Sequence, residues 1–142
     1  MHPSLTPTAS HHLGNASCTP STFSFPQILG AELVNVAADE VRNYTTSSML
    51  PGTDVPTTNA VDFCNVTITY EHTGWNDSIN VALWFPLEEE HWNGRLLGVS
   101  GGAYAASFSP VYQTTALRKG YVAVATDSGH ASGPAAATDP SH

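Results

Sequence analysis

The chain has 142 residues and a formal charge of −8, from twelve acidic and four basic side chains (Arg42, Arg95, Arg118 and Lys119). That length suits one domain at most, and the charge balance excludes nucleic acid and anionic membrane surfaces, which need clustered Lys and Arg. Charged residues make up 11% and hydrophobic ones 41%, so this is no disordered acidic tail, and no apolar run approaches the roughly 20 residues that span a bilayer.

Residues 1–30 read as an irregular lead-in, rich in Ser, Thr, Pro and His and punctuated by Pro20, Pro26 and Gly30. The pattern changes at Ala31. Glu32 to Ala37 alternates polar with apolar residues, the mark of a half-buried strand. Thr45 to Asn59, with Pro51-Gly52 and Pro56, is a loop. Cys64 to Tyr70 and Ser78 to Phe85 are two β-branched, alternating runs, and Glu71 to Asp77 between them carries the turn residues of a hairpin. After the turn Trp92-Asn93-Gly94, Arg95 to Val99 is short and mostly apolar, which predicts a strand covered on both faces.

The Gly-rich Ser100-Gly101-Gly102 follows, and then a helix expected from Pro110 to Lys119, with Pro at its start and Gly120 just past its end. Val111, Thr115 and Leu117 are its expected core residues. Tyr121 to Ala125 reads as a second buried strand that ends at Thr126-Asp127-Ser128-Gly129-His130. A strand–helix–strand unit of buried strands implies a right-handed crossover and a parallel pair, hence an α/β class. One helix covers too little of such a sheet, so residues 31–142 read as an incomplete α/β domain behind the lead-in.

Gly98-Val99-Ser100-Gly101-Gly102 fits the G-x-S-x-G pattern of serine hydrolases, and Asp127 and His130 complete a Ser–Asp–His order. That triad is unfavourable. Asp127 and His130 lie at one strand end, whereas such enzymes supply these groups from separate strand ends, and no helix follows Ser100 directly. An oxyanion hole suits the residues better: without Cβ atoms, the backbone N–H groups of Gly101 and Gly102 can approach a carbonyl oxygen closely. An ordinary turn accounts for the glycines equally well.

Metal binding is not expected. His11-His12 has no H-x₃-H or HExxH partner, and Glu88-Glu89-Glu90-His91 lacks calcium-loop spacing and reads as a solvated turn. Trp75, Trp84 and Trp92 are expected in packing, although Trp75 and Trp92, in loops, are placed to touch a ligand.

Four N-x-Ser/Thr sequons, at Asn15, Asn43, Asn65 and Asn76, point to a secretory route, although Met1 to Pro7 has neither a basic start nor an apolar core of a leader. Cys18 and Cys64 are an even pair outside any CxxC spacing. Bridged, they would close a loop of about 45 residues, worth roughly 3–4 kcal/mol; two free thiols in a cytosolic chain are the alternative.

Three longer stretches are distinctive together: Phe63 to Tyr70; Ile79 to Pro86; and Trp92-Asn93-Gly94-Arg95 running to Gly101-Gly102-Ala103-Tyr104, with Lys119-Gly120-Tyr121 and Thr126-Asp127-Ser128-Gly129-His130 beyond. From about Cys18 to His130 the chain resembles the N-terminal part of the fungal tannase and feruloyl esterase family. The resemblance implies an α/β-hydrolase fold with an inserted lid and hydrolysis of aromatic-acid esters, such as gallate in tannins or ferulate on plant cell-wall sugars. It implies oxyanion donors at Gly101 and Gly102, a disulfide between Cys18 and Cys64, and no nucleophilic role for Ser100. The family's Cys-Ser-x-Gly-Gly elbow, its later Asp and His-Cys, and the lid with its calcium site have no counterpart in these residues. The expected function is therefore that of a secreted ester-hydrolase fragment, inactive alone and without a cofactor of its own. A secreted non-catalytic module holding aromatic or sugar ligands through Trp75 and Trp92 is the alternative, and a cytosolic protein with accidental sequons a third.

Overall fold

A computed structural model describes residues 17–46, 60–100, 106 and 110–129. Five strands form one mixed sheet: β1 (Ala31–Tyr44), β2 (Val61–His72), β3 (Ile79–Pro86), β4 (Leu96–Gly98) and β5 (Val122–Thr126), with helix α1 (Pro110–Arg118) between the last two. Their order is β1-β2-β3-β5-β4. The first three strands are antiparallel neighbours, β3 pairs antiparallel with β5, and β5 pairs parallel with β4. The expected hairpin is β2–β3, and the expected parallel pair joined by a helix is β4–α1–β5. The fold is α/β.

Alternation along the strands sends successive side chains to opposite faces, and each face has its own cover. On one, Phe63, Trp84 and Ala123 pack with Ala116 and Leu117 of α1, with Tyr44, Val99 and Tyr121 around them. Phe63 and Trp84 stack at 4.1 Å between ring centroids, and Tyr44 meets both edge-on. On the other face, Ala38, Cys64 and Val66 pack with Cys18 and Phe23 of the segment before β1. A disulfide joins Cys18 to Cys64, so the lead-in is bonded to β2, the inner strand it covers.

Three expectations need correction. The first strand is longer than Glu32 to Ala37, because register shifts at Leu33/Asn35 and Val41/Tyr44 break its two-residue alternation while pairing with β2 continues to Tyr44. The strand within Arg95 to Val99 is not covered on both faces. It is three residues long, all exposed, with Leu96 at 61%, and β5 is its one strand partner among the described residues. On α1 the fully buried threonine is Thr114, not Thr115. Each Thr donates its hydroxyl to the carbonyl four residues back, Pro110 and Val111 respectively, at 2.9 Å, which removes the penalty for burying Thr114. Val111 and Leu117 are buried as expected.

Candidate functional site

Strand directions sort the loops into two groups. β4 and β5 are parallel, so their C-terminal ends emerge on one edge, the edge where open α/β sheets bind their ligands. In the β3–β5 register, Val81 lies opposite Thr126 and Trp84 opposite Ala123. The N-terminal end of β3, and with it the β2–β3 turn, therefore shares that edge.

Here β4 opens into Val99 and Ser100, the last described residues before the glycines. The ladder to β5 continues one step, with the Val99 N–H donating to the Val124 carbonyl at 2.7 Å. Ser100 is exposed. Gly101, Gly102 and His130 lie outside the described residues, so the structure describes neither the expected oxyanion donors nor the third member of the Ser100–Asp127–His130 arrangement.

Asp127 has a different set of partners. One carboxylate oxygen accepts the backbone N–H groups of Asn80 and Gly129, each at 2.9 Å, and the other accepts the Asn80 side-chain amide at 2.7 Å. Asn80 Oδ1 in turn accepts the Thr69 hydroxyl at 2.8 Å. The Asp127 N–H and the Thr126 hydroxyl both donate to the Asn80 carbonyl, and the Thr126 hydroxyl oxygen accepts the Ser128 N–H. Thr69, Asn80 and Asp127 thus buckle β2, β3 and β5 together where the chain leaves β5 for the site. Sequence reasoning missed this buckle. Its trace was a pair of polar residues, Thr69 and Asn80, that face each other across the β2–β3 register.

The other conspicuous words of the sequence meet at the opposite edge. The Asn93 N–H donates to the Gly120 carbonyl at 2.8 Å and its side-chain amide to the Lys119 carbonyl at 2.9 Å, while Asn93 Oδ1 accepts the Arg95 N–H. The Trp92 indole N–H and the Val122 N–H share the Arg95 carbonyl, each at 3.0 Å. Gly120 has φ +81°, and a Cβ there would lie 2.8 Å from the His91 carbonyl oxygen. The Trp92-to-Arg95 and Lys119-to-Tyr121 motifs therefore clasp the N-terminal ends of β4 and β5, far along the strands from the site edge.

Of the two loop tryptophans, Trp92 belongs to this clasp, whereas Trp75 stands 80% exposed in the β2–β3 turn. The base of that turn is closed by Asp77, which accepts the His72 N–H at 2.7 Å and meets His72 Nδ1 at 2.6 Å. The bond from His72 holds the Asp77 carboxyl below the ordinary aspartate range. Among the sequon residues, Asn43 and Asn76 are exposed with φ near +50°, Asn65 is half-buried in β2, and Asn15 lies outside the described residues. No group of three or more His, Cys, Asp or Glu side chains among the described residues is arranged to hold a metal ion, and no helix among them is long and apolar enough to cross a membrane.

Residues 64–142 match the family model described as "Tannase and feruloyl esterase". The chain belongs to that family. It is 35% identical over 104 residues to the Arthroderma benhamiae protein named "Probable feruloyl esterase", and 36% identical over 73 residues to the Aspergillus oryzae tannase. Those matches take in 73% and 51% of this chain, but 19% and 12% of the relatives. The chain thus spans a fifth or less of the length of the curated relatives it matches. The solved tannin acyl hydrolase from Aspergillus niger superposes on 83% of this chain and 20% of its own, at TM-score 0.61 and 26% identity. Residues 64–142 take in the site edge and the clasp alike, so the buckle at Asp127 and the clasp at Gly120 both lie within the matched segment.

Proposed function

We propose that these 142 residues form the opening part of the catalytic domain of a secreted, serine-type carboxylic ester hydrolase. Its substrates are esters of aromatic acids such as gallate or ferulate, including those on plant cell-wall sugars. On this reading residues 1–30 are a lead-in and residues 31–142 a partial α/β-hydrolase domain. The observation that carries it is the C-terminal end of β4. This strand is paired in parallel with β5 and leads directly into the glycine pair, the connection from which hydrolases of this architecture take one oxyanion N–H.

Gly101 and Gly102 then donate backbone N–H bonds to the oxygen that becomes negative in the tetrahedral intermediate. One such donor is worth roughly 3 kcal/mol of barrier, a hundredfold in rate or more. The donors stabilise charge but form no bond to the acyl carbon, and the Asp127 carboxylate already accepts three N–H bonds within the fold. The nucleophile and its base come from outside the 142 residues, as do the lid and its calcium. Passage through an oxidising compartment suits the Cys18–Cys64 bridge, and the sequon asparagines, Asn43 and Asn76 foremost because they are exposed, are the glycan acceptors.

The test is hydrolysis of methyl ferulate and methyl gallate by the 142-residue chain, beside its Ser100→Ala variant. No turnover is expected from either. Turnover lost on Ser100→Ala would place the nucleophile in this chain and overturn the assignment of the glycines as donors only; turnover that survives it would overturn the prediction of an inactive part.

A further inference from the structure

We propose that Trp75 is a carbohydrate-stacking platform at the rim of the reaction site, which holds the sugar that carries the ester. The proposal rests on the esterase reading for the ester and on the structure for the site. Burying an indole is among the larger apolar gains open to a side chain, yet Trp75 remains 80% exposed. It makes no ring–ring contact with another described residue, unlike Phe63, Trp84 and Tyr44.

Its exposure is not that of a loose loop. The Trp75 N–H donates to the His72 carbonyl at 3.0 Å, and the Thr73 N–H donates to the Gly30 carbonyl at 3.1 Å. Asp77 holds both the backbone and the ring of His72. A turn fixed at these points presents the indole with little ordering left to lose on binding.

The turn is also fixed relative to the site. Asn80, four residues past Asn76, is the centre of the Asp127 buckle, and Gly129 passes so close that a Cβ on it would lie 3.5 Å from Ile79 and 3.6 Å from the Ser78 carbonyl. The turn and the end of β5 are therefore one unit, on the edge where β4 opens into the glycines.

The surroundings of Trp75 select the ligand. The turn is open, and the residues following the indole are Asn76, Asp77 and Ser78, all polar. A pyranose suits such a place, because its C–H face covers the indole while its hydroxyls meet polar groups and water. A planar aromatic acid gains most from an enclosed apolar slot, which an exposed turn does not provide. Trp92 is no second platform: it lies at the opposite edge with its N–H bound to Arg95.

The experiment is ¹⁹F NMR of the disulfide-bonded chain labelled with 5-fluorotryptophan, with Trp75→Phe to assign the resonance and Trp84 as the reporter of the packed core. Titration with xylotriose is expected to move the Trp75 resonance alone, with a dissociation constant on the order of millimolar. Read on the sugar's own ¹H resonances, since these variants lack the Trp75 reporter, Trp75→Ala should weaken binding about tenfold or more, and Trp75→Phe only a few-fold. A Trp75 resonance unmoved by the sugar overturns the proposal. So does one that methyl ferulate moves at lower concentration, which makes the site an acyl pocket, or one that shifts with protein concentration, which makes it a contact between chains. Binding needs no nucleophile, so this readout is independent of the turnover assay that tests the esterase reading.

Discussion

Between Asn93 and Gly120 the strands are tied by amide and carbonyl groups, whereas between Asn80 and Asp127 they are tied by a carboxylate. Both ties hold strand ends, yet they differ in what they leave free. The clasp encloses a glycine against a carbonyl oxygen and ends in a short connection between α1 and β5. The buckle fixes Asp127 and Gly129 but leaves Ser128, Ser100 and Trp75 exposed. The lesson is that the two most recognisable phrases of this sequence have different work: Trp92 to Arg95 with Lys119 to Tyr121 set the strands at their N-terminal ends, while Thr126 to Gly129 braces the edge where β4 and β5 end.

Breaking the clasp gives the largest expected effect. Gly120→Ala adds a Cβ 2.8 Å from backbone oxygen, which cannot swing away, at a φ of +81°. The strain and the forced shift together cost roughly 2–4 kcal/mol, read as a lowered midpoint in chemical denaturation. An unchanged midpoint would mean that the clasp is looser than the distances imply.

Breaking the buckle comes next. Asp127→Ala leaves the Asn80 and Gly129 N–H groups and the Asn80 amide without their acceptor, a loss of about 2 kcal/mol in a half-buried setting. Asp127→Asn is the sharper probe. It keeps an acceptor for the two backbone donors and sets one amide NH₂ against another until Asn80 turns over, its NH₂ then donating to the Thr69 hydroxyl oxygen in place of the bond that Asn80 Oδ1 accepts now. It should therefore be destabilised less than Asp127→Ala, and Thr69→Val in the same chain should deepen the loss by removing the acceptor of the turned Asn80 amide. Strict additivity of the two changes would show that the three residues are not one network.

How much of this was legible in the sequence depends on the range of the interactions involved. The helix was readable because its limits are local: Pro110 sets the first turn and Gly120 the stop. The β2–β3 hairpin was readable because its strands alternate cleanly. β1 was cut short because its two register shifts make period-2 reasoning lose count, and no local signal at Asn35 or Asn43 reveals that pairing resumes. The cover of β4 was misjudged because it depends on what packs over Leu96 and Leu97, a non-local fact that an apolar run cannot carry. At the site, Asp127 stands out in the sequence only through the Ser100–Asp127–His130 order, which strand-end geometry already disfavours. Proximity to His130 suggested a triad, while the carboxylate's partner Asn80 lies 47 residues away and spacing gives no hint of it.

A smaller effect is expected from Trp92→Phe, which removes one donor from the Arg95 carbonyl. That oxygen retains the Val122 N–H, so no acceptor is stranded and the cost is about 1 kcal/mol or less. Trp75→Ala should change stability less still, within about 0.5 kcal/mol, as exposed sites do. The pair thus separates a tryptophan that holds the fold from one that does not.

The smallest effect is the pH dependence of the turn that carries Trp75. The Asp77 carboxyl is depressed by its bond from the His72 ring, then by the His72 backbone N–H. A carboxyl that is more acidic folded than unfolded stabilises the fold above its unfolded value, about 3.9 for aspartate, and that contribution is lost as pH falls through the lower folded value. The turn should therefore keep its geometry through the mildly acidic range and loosen only below it, seen as a change in the Trp75 environment with the Trp84 core unaffected. Asp77→Asn removes the titrating group and should abolish this acid transition while lowering overall stability only slightly, since the pair is exposed and screened by solvent. If the Trp75 signal still changed over the same acidic range in Asp77→Asn, the transition would belong to another group and not to the Asp77–His72 bond.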